Sequence, residues 1–138
     1  MSYVKTFFRH PAIFFLVSLF AIAAAGVAVS SGQSRLQKLE VARVLTQGNP
    51  DTAPQIMRRY GCVGCHTIPG VPGADGQVGG PLAGLRKRVF IGGVVNNTGD
   101  NLIRWIVSPQ SFSEHTAMPA TGISETEARD VAAYLYAH

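Results

Sequence analysis

The chain has two cysteines in 138 residues, and they stand three positions apart with a histidine directly after the second: Cys62-Val63-Gly64-Cys65-His66. C-x-x-C-H is the attachment pentapeptide of a c-type haem. Each thiol can form a thioether to one porphyrin vinyl group while the adjacent imidazole sits under the iron. A chain built this way folds around a large covalent cofactor rather than around side chains alone. The competing uses of the same residues fit less well. A thioredoxin-type redox pair wants a βαβ setting, and nothing here alternates strand and helix. A structural zinc site wants four ligands, and no second C-x-x-C exists to complete Cys62, Cys65 and His66. A disulfide between cysteines this close would shut too small a loop to stabilise much.

A second feature removes part of the chain from any aqueous core. From Pro11 to Ser34 no residue carries a formal charge, and Ala12 to Val29 is almost wholly apolar. About 20 such residues cross the hydrocarbon core as a helix. A cleaved signal peptide has a shorter apolar region, about 7–15 residues. Ala23-Ala24-Ala25 imitates its small-residue cleavage site, but the apolar run continues past it. An uncleaved transmembrane anchor over residues 1–33 is the expectation. Lys5 and Arg9 precede the run while Arg35, Lys38 and Arg43 follow it, so charge alone does not orient it.

The net charge of +4 belongs to these flanks, because residues 51–138 carry seven basic and seven acidic side chains. A nucleic-acid surface is thereby excluded as an expectation. Arg86-Lys87-Arg88 and the acidic Glu125, Glu127 and Asp130 are unevenly placed, which allows a molecular dipole.

Helical spacing of Leu36, Leu39 and Val44 predicts a continuation of helix from Ser34 to Leu45, broken at Gly48-Asn49-Pro50. Residues 34–50 then form a 17-residue helical linker, reaching ~56 Å extended or ~25 Å helical, which would confine a domain over 51–138 near the membrane. Asp51 or Thr52 caps a first domain helix with Pro54 in its first turn, ending near Tyr60-Gly61. Thr67 to Gly84, with six glycines and three prolines, is loop. A further helix starts at Thr98 or Asp100, carries Leu102, Ile103, Trp105 and Ile106, and ends at Pro109. Ser124 and Glu127 form a capping box that opens the last helix. No segment alternates as a strand. About 88 residues of short helices and loop hold little apolar mass for an independent core, and a covalent haem would supply what is missing.

Over residues 51–138 the order C-V-G-C-H, G-G-P-L-A-G, N-L-I-R-W-I-V-S-P-Q, A-M-P, R-D-V-A-A-Y-L-Y resembles the small monohaem class I cytochromes c. The resemblance implies an all-α fold of three to four short helices around one haem c bound through Cys62 and Cys65. It implies His66 as proximal ligand and Met118, followed by Pro119, as distal ligand. His/Met ligation favours ferrous iron and raises the reduction potential. His115, three residues earlier, is the alternative ligand; its other reading is a solvated loop histidine. His10 and His138 are expected to have no part in ligation. The family's loop places a proline carbonyl on the proximal histidine's Nδ1–H; alignment on Leu82-x-Gly84 puts Gly80, not Pro81, in that slot. Leu82 would pack on the porphyrin edge, and Arg88 matches a propionate partner or is a solvated arginine. Trp105, between Leu102 and Ile106, falls where relatives carry a tyrosine near the distal methionine, with a core role equally open. Arg58 stands where relatives often place an aromatic, so Met57 or Tyr60 would make the contact with the final helix.

The resemblance further implies an electron-transfer protein rather than an enzyme. Its domain would lie on the outer, periplasmic face of a bacterial inner membrane, with the N-terminus cytoplasmic. Similar anchored chains are subunits of, or donors to, haem–copper terminal oxidases, which makes membrane lipid and such a respiratory complex the expected partners. The alternatives are an electron-accepting subunit of a periplasmic dehydrogenase or quinol-oxidising complex, a haem-based gas sensor with an open sixth position, and a purely structural anchor subunit.

Overall fold

A computed structural model describes residues 11–138; Lys5, Arg9 and His10 lie outside the described residues. The chain divides into two compact units, Met1–Leu36 and Gln37–His138. Helix α1, Pro11–Thr46, contributes to both. Its apolar part exposes Phe14, Phe15, Leu16, Leu19, Phe20 and Ile22, all at least 63 % accessible. An apolar surface without a protein partner in this unit needs a non-aqueous solvent. The helix is long and apolar enough to cross a membrane, which fits a single-pass membrane protein.

In the second unit α1 is not a free tether at its end. Ala42, Thr46, Gly48 and Pro50 are buried. Thr46 Oγ1 donates back to the Ala42 carbonyl (2.8 Å) and accepts from the Gly48 N–H, while Gln47 at φ 57° turns the chain off the helix. Asn49 N–H and Thr52 Oγ1 then donate to the two carboxylate oxygens of Asp130 at 2.7 and 2.8 Å. Gly48 lies so close to the Arg129 carbonyl that a Cβ would overlap it.

Helix α2, Ala53–Arg59, and the single turn α3, Cys62–Cys65, follow. Thr52 precedes α2 without a side-chain cap bond; the helix starts on Pro54 in its first turn instead. Helix α4, Gly99–Val107, has Thr98 as a working N-cap, its hydroxyl accepting from Asn101 N–H. It buries Leu102, Ile103, Trp105 and Ile106, the residues whose spacing predicts its inner face. Helix α5, Glu125–Ala137, opens on the predicted capping box. Helices α2, α4 and α5 pack around one cluster that includes Met57, Ile68, Leu85, Ile103, Val131 and Leu135.

One element departs from the expectation of no strand. Phe90–Ile91 (β1) pairs antiparallel with Val95–Asn96 (β2). The turn is closed by Val94 N–H on the Ile91 carbonyl, with Gly92 and Gly93 at φ 56° and 76°, the pair of positive values a type I′ turn requires. Two residues per strand are too few for alternation to show in a sequence. The 67–84 loop is likewise anchored rather than loose: Ile68, Val71 and Ala74 are buried, and Tyr134 of α5 donates to the Pro69 carbonyl at 2.7 Å.

The contact between α2 and α5 is sealed by one carboxylate. Glu127 accepts from Ser124 Oγ and Tyr60 Oη at 2.8 Å each and pairs with Arg59. The Ser124 bond, then the Tyr60 bond, holds its carboxyl below the ordinary range, and the same bond pushes the Tyr60 phenol up. A carboxyl depressed in the folded state stabilises fully above its unfolded value, near 4.3, and that contribution disappears as pH falls through the folded value. Thermal unfolding of the full chain in detergent should therefore lose stability over this acid window, and Glu127→Gln should flatten that part of the profile. Ser124→Ala should cost about 1 kcal/mol at neutral pH, the usual worth of such a cap.

Candidate functional site

Gly61 at φ 76° starts α3 in the left-handed region that favours glycine. The turn carries Cys62 and Cys65, both half-buried free thiols. Burial pushes the Cys62 thiol above its ordinary value, so it is held as S–H rather than as a reactive thiolate. His66 leaves the turn in an extended conformation, its N–H on the Cys62 carbonyl at 3.0 Å.

The imidazole is fixed by the glycine pair that follows in the 67–84 loop. His66 Nδ1 lies 2.7 Å from the carbonyl oxygen of Gly80. A carbonyl only accepts, so Nδ1 carries the proton and the lone pair of the neutral ring is on Nε2. Gly79 N–H donates to the Cys65 carbonyl at 2.8 Å, and Leu82 N–H to the Thr67 carbonyl at 2.9 Å. A Cβ on Gly79 would overlap the His66 ring, whereas one on Gly80 would meet open space. Gly76 is pressed onto Gly64 in the same way, with a Cβ there 2.5 Å from the Gly64 carbonyl. The loop is thus moulded on α3.

Cys62, Val63, Leu82 and Met118 are partly buried against the hydrophobic cluster that contains Leu102, Trp105 and Ile106. The Met118 backbone is held on both sides, its carbonyl accepting from Gln110 Nε2 at 2.9 Å and its N–H donating to Thr116 Oγ1 at 3.3 Å. His115 is exposed. Trp105 packs on Phe112, with ring centroids 6.1 Å apart, and lies under the Gly92 turn, where a Cβ would come within 2.5 Å of the indole. Arg88 Nη2 donates to the Pro81 carbonyl and, at 3.2 Å, to that of Ala83. Met57 is fully buried in the hydrophobic cluster, and Tyr60 reaches Glu127 of α5. His138 stacks on Tyr134 at 4.0 Å.

Among the described residues no three His, Cys, Asp or Glu side chains form a metal cage. The donor set is of another kind: two thiols on one turn, an imidazole with a free Nε2, and a separate half-buried thioether. Those groups suit a flat cofactor bonded at its edge and ligated from two loops, and the residues present fit a haem c. An open cleft of about 670 Å³ lies elsewhere, between Arg43, Gln47, Asn49, Asp51 and Asp130; the Arg43–Asp51 ion pair there, at 3.3 Å, and the bonds to Asp130 already use its polar groups. The pairing of Tyr60 with Glu127 and the carbonyl partners of Arg88 left no trace in the sequence pattern, because each joins residues distant in sequence or bonds backbone atoms.

No family model matches the chain, and no solved structure does. The chain is 34 % identical over 83 residues to cytochrome c oxidase subunit 2 of Alkalihalophilus pseudofirmus, a match that covers 59 % of this chain and 23 % of that relative. The chain therefore has a distant similarity to a respiratory oxidase subunit and spans about a quarter of its length.

Proposed function

We propose that the second unit is a monohaem cytochrome c domain that passes single electrons to or from a haem–copper oxidase, carried on a single-pass membrane anchor. The observation that carries this reading is the geometry at His66: its Nδ1 is committed to the Gly80 carbonyl, leaving Nε2 free, one residue after a turn that presents both thiols. When bound, the haem supplies a one-electron ferric/ferrous couple. Cys62 and Cys65 would hold the porphyrin edge as thioethers, each thiol supplying its sulfur to one vinyl carbon and its hydrogen to the other. His66 Nε2 would serve as one iron ligand, and the Met118 sulfur, on a loop pinned by Gln110 and Thr116, would serve as the other. An internal distal ligand closes the iron to substrates, which argues for electron transfer over gas binding. Leu82, Leu102, Trp105 and Ile106 keep water from the buried side. The similarity to an oxidase subunit supports an oxidase over a dehydrogenase or a quinol-oxidising complex as partner, and a periplasmic domain with a cytoplasmic N-terminus is the orientation this function requires.

The full chain, expressed with haem c maturation and purified from membranes, should give a low-spin c-type spectrum that stays with the polypeptide after denaturation, a positive midpoint potential, and oxidase subunits among its copurifying chains. Cys62→Ala with Cys65→Ala should abolish covalent haem. Met118→Ala should remove the methionine-ligation band and lower the potential. A high-spin wild-type haem that binds carbon monoxide would sink the assignment of Met118 and with it the electron-transfer reading.

Gly79→Ala should displace the imidazole, because the atoms nearest the added methyl are those of the His66 ring. The expected outcome is haem still attached through both cysteines but with a mixed-spin spectrum; an unchanged spectrum would show that the ring sits elsewhere when haem is bound.

A further inference from the structure

The acceptor of the His66 hydrogen bond stands on an unusual support. Gly79 must be glycine, since a side chain would strike the imidazole, but Gly80 has open space where a Cβ would be. Nothing steric requires a glycine there, and glycine leaves φ unrestrained. Two consecutive glycines ending on the carbonyl that orients the proximal ring would let that carbonyl swing. Backbone bonds fix the loop at Gly79 N–H and again at Leu82 N–H, leaving the Gly80 and Pro81 carbonyls to be set from outside.

Arg88 reaches this gap. Its Nη2 donates to the carbonyls of Pro81 and Ala83, the first being the peptide oxygen directly after that of Gly80. Arg88 is itself tied down. Asn97 Nδ2 donates to the carbonyls of Leu85 and Arg88, both at 2.8 Å, and Asn97 N–H donates to the Val89 carbonyl at 3.0 Å. Asn97 Oδ1 in turn accepts from Tyr136 Oη at 2.7 Å, and Tyr136 is buried on α5. A line of hydrogen bonds thus runs from the core of the last helix through Asn97 and Arg88 to the peptide beside Gly80.

We infer that Arg88, braced by Asn97 and Tyr136, is a positioning residue that holds the Gly80 carbonyl on His66 Nδ1 and thereby sets the basicity of the proximal ligand. The inference rests on the haem-binding function proposed above. It replaces the rigidity a proline would give this slot with a guanidinium Nη2 group, brought from a later segment, that spans two carbonyls. The resemblance to class I cytochromes c implies a propionate partner for Arg88 or a solvated arginine; the clamp gives it a different task, with a different signature. A firm Nδ1–H bond makes the imidazole more basic and favours ferric iron, so loosening the clamp raises the midpoint potential. Loss of a cation beside the cofactor would lower it.

Arg88→Lys in the full-length haem-loaded chain separates the two, because it keeps the charge and removes the planar Nη2 amine that spans the Pro81 and Ala83 carbonyls. Arg88 is exposed, so the variant should fold as the wild type does. The expected result is a raised midpoint potential, an unchanged methionine-ligation band, and exchange of the His66 Nδ1 proton faster by about tenfold in the diamagnetic ferrous protein, as read by NMR, the scale of losing one charge-assisted hydrogen bond. Asn97→Ala, which alters no charge, should shift both readouts in the same direction. Unchanged potential and exchange in Arg88→Lys would overturn the inference while leaving the function intact, as would a lowered potential with unchanged exchange. A wild-type chain purified without covalent haem would overturn the function, and this inference with it.

Discussion

The hydrogen bond between His66 and the Gly80 carbonyl is the contact on which the arrangement of the second unit turns. It joins the one-turn helix Cys62–Cys65 to a glycine-rich loop that has little apolar content of its own. It also decides which ring nitrogen is protonated, and so what the imidazole can ligate. The loop pays in steric freedom at Gly79 and Gly76, each lying where a side chain would collide with α3 or His66. Those close approaches explain why a stretch with six glycines is ordered rather than loose: its backbone is packed directly against the site.

Around that contact the domain is assembled from few long-range pieces. Helices α2 and α5 are locked by Glu127, which serves at once as the capping-box partner of Ser124, the acceptor for Tyr60 and the counter-ion of Arg59. At the other end of α5, Tyr134 holds the Pro69 carbonyl and Tyr136 holds Asn97. Burial pushes the Tyr136 phenol up to about 12, so it is a hydrogen-bond donor throughout the physiological range. The last helix is therefore the element against which both the first domain helix and the site loops are registered.

The parts of this design that a reader of the sequence can find are those with local signatures. The C-x-x-C-H pentapeptide, the uncharged run from Pro11 to Ser34, the cap at Thr98 and the Ser124–Glu127 box each depend on residues within a few positions of one another, and helices α1, α4 and α5 follow from them. The Gly80 carbonyl opposite His66 is what the family resemblance implies when it is aligned on Leu82-x-Gly84. What is not legible is set by contacts distant in the chain or made to backbone. The β1–β2 hairpin is too short to alternate. The end of α1 reads as a helical linker because its small buried residues, Ala42, Thr46 and Gly48, carry no hydrophobic periodicity, yet Thr46 and Gly48 lie against Arg129 of α5.

That packing changes what the segment after the apolar run can do. A flexible 17-residue tether would let a domain search a wide shell. Here Thr46, Gly48, Asn49 and Thr52 are bonded or pressed into α5, so the residues entering the domain share the helix that also carries Tyr134 and Tyr136. The second unit therefore begins with its own entry segment fixed on the last helix, so that the end of α1 is part of the fold it leads into and not a spacer ahead of it.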